Sequence, residues 1–490
     1  MSIFFIPITT LKLPLHALLF LLIITSCEQP VTKQAPPRPN ILLINVDDLG
    51  WKDTGFMGSA WYETPNIDRL ASEGMVFTQA YAGAANCAPS RACLMSGLYP
   101  PRHGIYTVAN PDRGDPRTRR LVPAENNRVL PDSIYTLAEM LRDNGYVTGT
   151  FGKWHLGEDP KTQGFHVNVG GSGMGSPGRE GYFSPYKIKN IADTVPGEYL
   201  TDRLGAEAVA FIRQFKDTSF FLYLPFYSVH TPIMGKEELM AKYKQKTAPP
   251  GQERSDYAAM VTSVDENIGK VLTELETNKI EENTLVVFTS DNGGIRDIST
   301  QDPLRAGKGS YYEGGIRVPM VVRWLEKVKG GVEIETPVMQ MDLYPTLANI
   351  IGAKNKPKQL DGIDFSPILF DGKINERTVF WHFPIYLQAY NPLRDDGRDP
   401  LFRTRPGSVI RLGKWKLHEY FEDGGLELYD LQKDIGERKN LVEELPGKTE
   451  ELKKLLYNWR KDQKALMPPG PNTDYDAEYN SVLIDSLTSR

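Results

Sequence analysis

The chain has 490 residues, of which 24% are charged and 40% are hydrophobic, a composition typical of a globular protein. Its formal net charge of −5 at pH 7 excludes a global basic field that would attract nucleic acid or another anionic polymer. An anionic ligand must therefore be bound by local clusters of basic side chains. Because the length exceeds that of one hydrophobic core, we expect one large domain and one smaller domain.

Residues 1–26 have the features of an export signal. Lys12 is the only charged side chain among them, and residues 17–24 form an apolar run that is too short to span a bilayer. Thr25 and Ser26 precede Cys27 as in a bacterial lipoprotein signal, in which the cysteine becomes the lipidated first residue. An ordinary signal peptide that releases a periplasmic protein is the alternative. Residues 27–38 are rich in proline and predict a tether.

Five short apolar runs predict buried strands. They are residues 41–46, 147–151, 220–224, 285–289 and 318–324. Between them, Asp132 is expected to cap a helix that ends at Gly145, and two longer helices are predicted at 200–215 and 257–275. Strands that alternate with helices predict an α/β fold, with a large, mostly parallel sheet flanked by helices on both faces. We assign residues 39–375 to this domain.

The pattern changes after about residue 375. Residues 409–411, 415–420 and 426–431 predict antiparallel strands linked by glycine turns, and a charged helix is predicted at 448–463. We assign residues 376–466 to a smaller C-terminal α+β subdomain. Residues 467–490 are polar, and we expect them to be only loosely ordered.

Acidic residues follow two of the predicted strands directly. Asp47 and Asp48 come after the first strand, and Asp291 and Asn292 come after the fourth. Sites in open α/β sheets form beyond the carboxyl ends of strands, so these side chains can meet in space. A single Asp-Asp pair often only caps a helix, but the second pair favours a metal site. An all-oxygen cage suits Ca²⁺ or Mg²⁺ better than zinc.

The run Cys87-Ala88-Pro89-Ser90-Arg91, followed by Ser96-Gly97, is the most specific motif of the chain. Taken alone, Cys87 could be a buried cysteine before a helix. Three segments that follow strands add cations and proton-transferring groups: Lys153 and His155 in 152–157, His230 in 228–232, and Lys308 in 307–319. Together, and in this order, they resemble the sulfatase family from about residue 38 to about residue 319, with weaker similarity in the C-terminal region.

The resemblance is to the type I, formylglycine-dependent sulfatases of the alkaline phosphatase superfamily, and among them to the bacterial polysaccharide sulfatases. It implies that a maturation enzyme oxidises Cys87 to formylglycine (3-oxoalanine). One hydroxyl of the hydrated aldehyde attacks the sulfur of a sulfate ester, and the second expels sulfate by reforming the aldehyde. Cys93 would then have no cysteine partner, and we expect it to pack inside the helix that follows the motif.

The resemblance also assigns roles residue by residue. Asp47, Asp48, Asp291, Asn292 and the hydrated residue 87 would bind one Ca²⁺. Arg91 would hold the hydrate, Lys153 and Lys308 would contact sulfate oxygens, His155 would be the base for breakdown of the sulfated diol, and His230 would protonate the leaving oxygen. Ser172 is a further polar candidate. With three aspartates, Ca²⁺ and three cations, the site carries a charge of about +2, which suits a monoanionic sulfate ester.

Two arginine-rich stretches bear on the substrate. They are Arg113, Arg117, Arg119, Arg120 and Arg128, and Arg394, Arg398, Arg403, Arg405 and Arg411. They are either solvated loops or a rim that binds the carboxylates and further sulfates of an anionic glycan. With a rim, the chain resembles sulfatases that act on sulfated algal polysaccharides such as ulvan, carrageenan and fucoidan, or on glycosaminoglycans. We favour an algal glycan such as ulvan.

Two alternatives remain at this point. One is a phosphate or phosphonate ester hydrolase of the same superfamily, which would use an unmodified Thr or Ser and two metals. The Cys-x-Pro-Ser-Arg run and the single evident metal cage argue against it. The other is an inactive homologue that binds sulfated glycans at the cell surface, and the complete set of matching site residues argues against that.

Overall fold

In the computed structural model, the described residues are 1–5, 7, 38–193 and 195–489. Contacts divide the chain into two units, Met1–Pro37 and Arg38–Arg490, and the architecture below is that of the second unit. Most of the predicted export signal, Cys27 and the tether up to residue 37 lie outside the described residues. Within the part of the chain that is described, no helix is both long enough and apolar enough to cross a membrane.

Eight strands form the central sheet. In chain order they are β1 (Asn40–Val46), β2 (Met75–Phe77), β3 (Val147–Phe151), β4 (Val167–Val169), β5 (Phe220–Phe226), β6 (Thr284–Ser290), β7 (Met320–Arg323) and β8 (Val332–Ile334). Their spatial order is β8-β2-β7-β6-β1-β5-β3-β4. Strand β7 runs antiparallel to both of its neighbours, and the other pairs are parallel. The predicted mostly parallel sheet is confirmed.

Each face of the sheet carries its own hydrophobic core, because successive side chains of a strand point to opposite faces. In β1, Leu42 and Ile44 belong to one core, and Ile41 and Leu43 belong to the other. The first core is covered by the helices Pro65–Ser72, Leu200–Phe215, Glu237–Tyr243 and Ser255–Thr277. The second is covered by the helices Cys87–Ser96, Leu137–Asp143 and Leu343–Ile350. Helices on both faces are therefore confirmed.

The C-terminal region contains a four-stranded antiparallel sheet, which confirms the three predicted strands and adds a fourth, Thr378–Phe383. Its strands are β9 (Thr378–Phe383), β10 (Gly407–Leu412), β11 (Trp415–Tyr420) and β12 (Leu426–Asp430), paired in that order. The helix Pro446–Asp462 packs Leu452 and Leu456 into a core that contains Val409 of β10 and Leu417 of β11. The predicted domain boundary after residue 375 stays a prediction.

The remaining elements are short, apart from one helix near the C-terminus. The short strands are Ala80–Tyr81, Leu121–Val122, Arg317–Val318, Val338–Met339, Leu387–Gln388, Phe402–Thr404 and Gly470–Pro471. The other α-helices of the described residues are Pro100–His103, Glu313–Ile316, Ser366–Leu369 and Ala477–Thr488.

A buried ionic cluster joins β11 to the segment around Glu313. Lys416 Nζ lies 2.9 Å from Glu313 Oε1 and 2.9 Å from Glu437 Oε1, and all three side chains are 0% exposed. The backbone N–H of Glu313 also donates to Glu437 Oε2 at 2.6 Å. A buried charge needs such pairing, because an unpaired charge away from water costs several kcal/mol.

The predicted helix start at Asp132 is wrong. The helix Leu137–Asp143 begins after Thr136, whose hydroxyl accepts from the N–H of Glu139 while the Glu139 carboxylate accepts from the N–H of Thr136. This reciprocal capping box satisfies two backbone donors at once. Asp132 instead accepts a hydrogen bond from Gln163 Nε2 at 2.9 Å.

Two further expectations are corrected. Residues 318–324 do not form one strand, because Pro319 has no N–H for a ladder and separates Arg317–Val318, in another sheet, from β7. The tail is not loose: Gly470–Pro471 pairs with Leu121–Val122, and Leu483 and Leu487 of the helix Ala477–Thr488 pack against a buried cluster around Phe402.

Candidate active site

Four neighbouring parallel strands end at the same edge of the central sheet, and polar residues follow each of them. In spatial order, Asp291 and Asn292 follow β6, Asp47 and Asp48 follow β1, His230 lies beyond β5, and Lys153 and His155 lie beyond β3. Val46 is in register with Ser290 on one side and with Phe226 on the other. The parallel register thus brings side chains from distant parts of the sequence together, at the edge where such sheets form sites.

The predicted calcium ligands lie within one buried cluster. Carboxylate oxygens of Asp47, Asp48 and Asp291 lie within 4.8 Å of one another, and Asn292 Nδ2 donates to Asp48 Oδ1 at 2.8 Å. Two acceptors of this cluster, Asp47 Oδ1 and Asn292 Oδ1, are buried and have no hydrogen-bond partner among the described residues. Leaving a buried acceptor unsatisfied is costly, and a hard cation takes oxygen ligands of this kind. These residues fit Ca²⁺.

Three buried cations surround the carboxylates. Lys153 Nζ donates to Asp47 Oδ2 at 2.7 Å, Lys308 Nζ donates to Asp48 Oδ2 at 2.6 Å, and Arg91 Nη2 lies 2.8 Å from Asp291 Oδ2. Burial disfavours the charged form of each lysine, yet Asp47 raises the pKa of Lys153 and Asp48 raises the pKa of Lys308. Both lysines therefore stay protonated near neutral pH.

Asp47 and Asp48 differ in how easily they ionise. Burial raises the pKa of Asp47 well above its ordinary value, against the attraction of Lys153. For Asp48 burial acts in the same direction, but the charges of Lys308 and Lys153 hold its pKa below the ordinary value. A cation beside Asp47 would remove the energetic cost of ionising it, which is a second reason why the cluster fits a metal.

Cys87 is the first residue of the helix Cys87–Ser96 and is 2% exposed. Its Sγ lies 3.8 Å from Asp48 Oδ1, and Sγ lies within 4.8 Å of ligand atoms of Asp47 and His230. The motif cysteine, at the start of this helix, therefore lies at the edge of the carboxylate cluster. Cys93 lies in the same helix and is also buried. Its Sγ is 3.5 Å from His103 Nε2, and it forms no disulfide.

Two histidines lie near this cluster. His230 Nε2 is 3.7 Å from Asp48 Oδ2, and its Nδ1 lies 2.7 Å from the carbonyl oxygen of Thr231. A hydrogen bond from Nδ1 to that carbonyl leaves Nε2 facing the site. Burial, followed by the charge of Lys308, lowers the pKa of His230, so the imidazole is neutral in the resting site.

His155 follows β3 with a positive φ of 63°, and its Nδ1 is buried with no hydrogen-bond partner among the described residues. Burial and the charge of Lys153 lower its pKa well below the ordinary value. Ser172 is placed beside this histidine through its backbone, because its carbonyl accepts from the N–H of His155 at 2.9 Å.

The structure adds residues that hold the site and that no local motif indicated. Gln340 accepts from Ser90 Oγ at 2.9 Å, and its amide donates to Thr289 Oγ1 at 3.2 Å, which ties the motif helix to the end of β6. The hydroxyl of Tyr182 donates to the carbonyl of His230 at 2.8 Å. These contacts link residues far apart in sequence, so single-sequence patterns carried no signal for them.

The arginine-rich stretches do not form one free basic rim. Arg405 pairs with Asp399 and Glu422, and Arg398 and Arg394 pair with Asp423 and Asp297, respectively. Arg119 and Arg411 are buried and donate to backbone carbonyls, and Arg117 pairs with Asp115. Arg120 lies over the ring of Tyr475, and Arg128 donates to Asn110. Arg119, Arg405 and Arg411 are therefore buried in the fold, whereas Arg117, Arg120, Arg128 and Arg394 are exposed at the surface.

Comparison with known proteins covers nearly the whole described chain. Residues 39–353 match the family described as Sulfatase, and residues 307–462 match the one described as N-sulphoglucosamine sulphohydrolase, C-terminal. A Formosa agariphila protein named Sulfatase is 34% identical over 89% of this chain and 90% of its own length. Human N-acetylgalactosamine-6-sulfatase is 33% identical over 71% of this chain and 69% of its own.

Among solved structures, the chain is similar to Ps i-CgsB in complex with k-i-k-neocarrahexaose. The two are 30% identical, the TM-score is 0.72, and the match covers 92% of this chain and 98% of the other. The similarity therefore extends through both the central sheet and the C-terminal region.

Proposed function

The chain belongs to the sulfatase family and is a sulfuric ester hydrolase, and on this basis we propose that it removes sulfate from sulfated glycans at the site around Cys87. The observation that carries the proposal is the buried arrangement of three carboxylates and three cations at the start of the Cys87 helix. Lys153 and Lys308 can bind the oxygens of a sulfate monoanion there, since both are protonated and protected from bulk water.

The proposed cofactors are one Ca²⁺ and a formylglycine at position 87. Asp47, Asp48, Asp291 and Asn292 would hold the metal, whose positive charge would make the hydrated aldehyde more acidic and hence a better nucleophile. Arg91 supports this arrangement because its guanidinium binds both Asp291 and the carbonyl of Lys153. It thereby fixes the distance between the helix that carries residue 87 and the end of β3.

Two proton transfers are assigned to the histidines. In the resting site the single proton of His230 lies on Nδ1, which is directed to the Thr231 carbonyl, so Nε2 must first take up a proton from solvent. A bound sulfate anion would favour that uptake, and His230 would then donate the proton from Nε2 to the leaving sugar oxygen. His155, whose Nδ1 has no hydrogen-bond partner among the described residues, would accept a proton from residue 87 as sulfate leaves. Lys308 lies beside Asp48 and within the electrostatic range of His230, so it can promote the donation of that proton.

The substrate class rests on the relatives. One is named for an N-acetylgalactosamine 6-sulfate, and the solved structure with a bound neocarrahexaose concerns an oligosaccharide. We propose an algal polysaccharide, with ulvan as one candidate, and a glycosaminoglycan as the alternative. We also propose that the protein is exported, with either a lipid on Cys27 or an ordinary signal peptide.

The test is release of inorganic sulfate from a panel of sulfated glycans and from one aryl sulfate, each incubated with mature protein and with the variant Lys308→Ala. Sulfate release by the mature protein and a strong loss in the variant are expected. Hydrolysis of phosphate or phosphonate esters without any sulfate release would overturn the proposal. Tight glycan binding without turnover of any ester would instead indicate an inactive binding protein.

A further inference from the structure

Two arginines remain beside the site after the ionic contacts of the arginine-rich stretches are assigned. Arg113 donates through Nη2 to the carbonyl of Val108, and Arg403 donates through Nε to Gln388 and through Nη1 to Lys308. Neither forms an ion pair with a carboxylate of the described residues. This distinguishes them from Arg405, whose guanidinium lies between two carboxylates.

Donors of both guanidiniums reach open space. Three of their nitrogen atoms have no acceptor among the described residues: Nη2 of Arg403, and Nε and Nη1 of Arg113. None of the three is buried away from solvent, so each can bind a ligand atom. By contrast, Nε of Arg119 is buried and has no hydrogen-bond partner among the described residues. Arg403 itself is only 7% exposed, so its free donors open into a recess and not onto the outer surface.

The two arginines are held next to each other. The Arg113 segment pairs with the C-terminal region through a parallel bridge between Asp112 and Tyr386. Gly114 packs against Phe402 so closely that an added Cβ would lie 2.7 Å from its ring. Burial lowers the pKa of Arg113, and the charge of Arg403 lowers it further, so two like charges lie close together. Asp395 interacts with Arg403 only beyond ion-pair distance.

Contacts also fix this pair beside the sulfate pocket. Arg403 donates to the carbonyl of Lys308 at 2.9 Å, and the ammonium of the same lysine binds Asp48. Arg113 lies within electrostatic range of Cys87. The half-exposed ring of Tyr390, 48% exposed, lies under the Arg403 guanidinium at 3.4 Å, which holds that side chain in place.

We propose that Arg113 and Arg403 bind a second oxyanion of the substrate, a carboxylate or a further sulfate, while the sulfate to be removed lies at Lys153 and Lys308. The inference rests on the proposed function and deepens it. Guanidinium groups suit this role because their planar donors match carboxylate and sulfate oxygens. The preferred substrate would be a doubly anionic saccharide, and not one whose only charge is the scissile ester.

The test uses three sulfated disaccharides that share the same scissile ester. One has no other charge, one has a carboxylate on the neighbouring sugar, and one has a second sulfate there. kcat/KM is measured for each with the wild type, Arg113→Gln and Arg113→Lys. The matched control is Arg117→Gln, since Arg117 is in the same stretch but is exposed and paired with Asp115. Arg403 is left intact because it also holds the backbone of Lys308.

We expect the wild type to prefer the doubly charged substrates, and Arg113→Gln to reduce that preference by roughly ten- to a hundredfold, as for a lost charge-assisted hydrogen bond. Arg113→Lys should retain part of the preference, and Arg117→Gln all of it. Comparing the carboxylate with the second sulfate identifies which oxyanion is bound.

Equal kcat/KM values for the three disaccharides in the wild type, or an equal loss on all three in Arg113→Gln, would refute the second-oxyanion site and leave the sulfatase assignment intact. A wild type that releases no sulfate from the disaccharides or from an aryl sulfate would instead overturn the proposed function, and this inference with it.

Discussion

Arg91 and Asp291 form a buried ion pair that joins the motif helix to the end of β6. Nε and Nη2 of Arg91 lie 2.9 and 2.8 Å from Asp291 Oδ2, and each side chain is 1% exposed. Removal of one partner of such a pair costs about 3–5 kcal/mol, since the other charge stays buried. Changes to this pair must therefore be assayed for stability as well as for activity.

The metal assignment predicts that chelation abolishes sulfate release and that Ca²⁺ restores it. Asp291→Asn should lower activity by at least about a hundredfold and remove the rise in melting temperature that Ca²⁺ gives the wild type. Asp430→Asn is the control, because Asp430 is also buried and pairs with Lys414 at 2.7 Å in the C-terminal sheet. It should lose stability but keep the response to Ca²⁺. Full turnover by the metal-free protein would contradict the assignment.

The nucleophile assignment predicts a change of mass. In active protein the peptide that contains Cys87 should be about 18 Da lighter than the thiol form, or carry the hydrate of the aldehyde, because the thiol no longer exists. Cys87→Ala should lower turnover by roughly a thousandfold or more. Cys93→Ala, on the same helix, should remain active. An unmodified Cys87 in fully active protein, found by mass spectrometry, would be incompatible with a formylglycine nucleophile.

The leaving-group assignment predicts a dependence on substrate. His230→Ala should slow hydrolysis of sugar sulfates by roughly 10²- to 10⁴-fold, because an alkoxide leaves poorly without a proton. Aryl sulfates with acidic phenols should lose much less, since their leaving oxygen needs little protonation. The ratio of wild-type to His230→Ala activity is measured for a sugar sulfate and for an aryl sulfate. Equal losses on the two substrates would assign His230 a positioning role.

The export assignment concerns Cys27, which lies outside the described residues. In a bacterial host, Cys27→Ala should move the protein from the membrane fraction to the soluble fraction, because a lipid on this cysteine would be the anchor left after signal cleavage. Labelling with a radioactive fatty acid, with and without the change, provides the check. A wild type found wholly in the soluble fraction would favour an ordinary signal peptide.

Asp265 predicts a dependence of stability on pH. Its carboxylate accepts from the N–H groups of Asn66 and Ile67, and burial raises its pKa to about 6. Since the folded-state pKa exceeds the unfolded value, this group's contribution is fully present below about pH 4 and is lost as pH rises through about 6. As pH rises from about 4 to above 6, the free energy of unfolding of the wild type should fall by on the order of 3 kcal/mol relative to that of Asp265→Asn, measured by urea unfolding. Parallel pH profiles would contradict the raised pKa.

The sequence predicted those parts of the site that follow directly from strands. Asp47 and Asp291 each come after a run of apolar residues, and a buried strand needs no distant partner to be recognised in the sequence. Parallel pairing then brings them together, as Val46 and Ser290 show by their register. The position of Cys87 could be inferred because its helix begins within the motif itself.

Features that depend on distant contacts could not be inferred in this way. The direction of β7 is set by its pairing with β6 and β2, and nothing in its apolar run distinguishes antiparallel from parallel. Likewise, Arg403 and Arg405 stand two residues apart and look alike in sequence. Only the fold shows that Arg405 is neutralised by Asp399 and Glu422, while Arg403 is not.

The cluster of Glu313, Lys416 and Glu437 couples the segment around Lys308 to the C-terminal sheet. Lys416 is made 103 residues after Glu313, which lies close behind Lys308 in the sequence. Without β11, the carboxylate of Glu313 keeps Arg317 and the hydroxyl of Tyr81 as partners but loses Lys416, so the segment that carries Lys308 is held less firmly. A nascent chain, or one terminated early by a nonsense codon, would already contain Asp47, Cys87 and His230 without this support. The integrity of the pocket thus depends on the C-terminal sheet, whose strand β11 supplies Lys416.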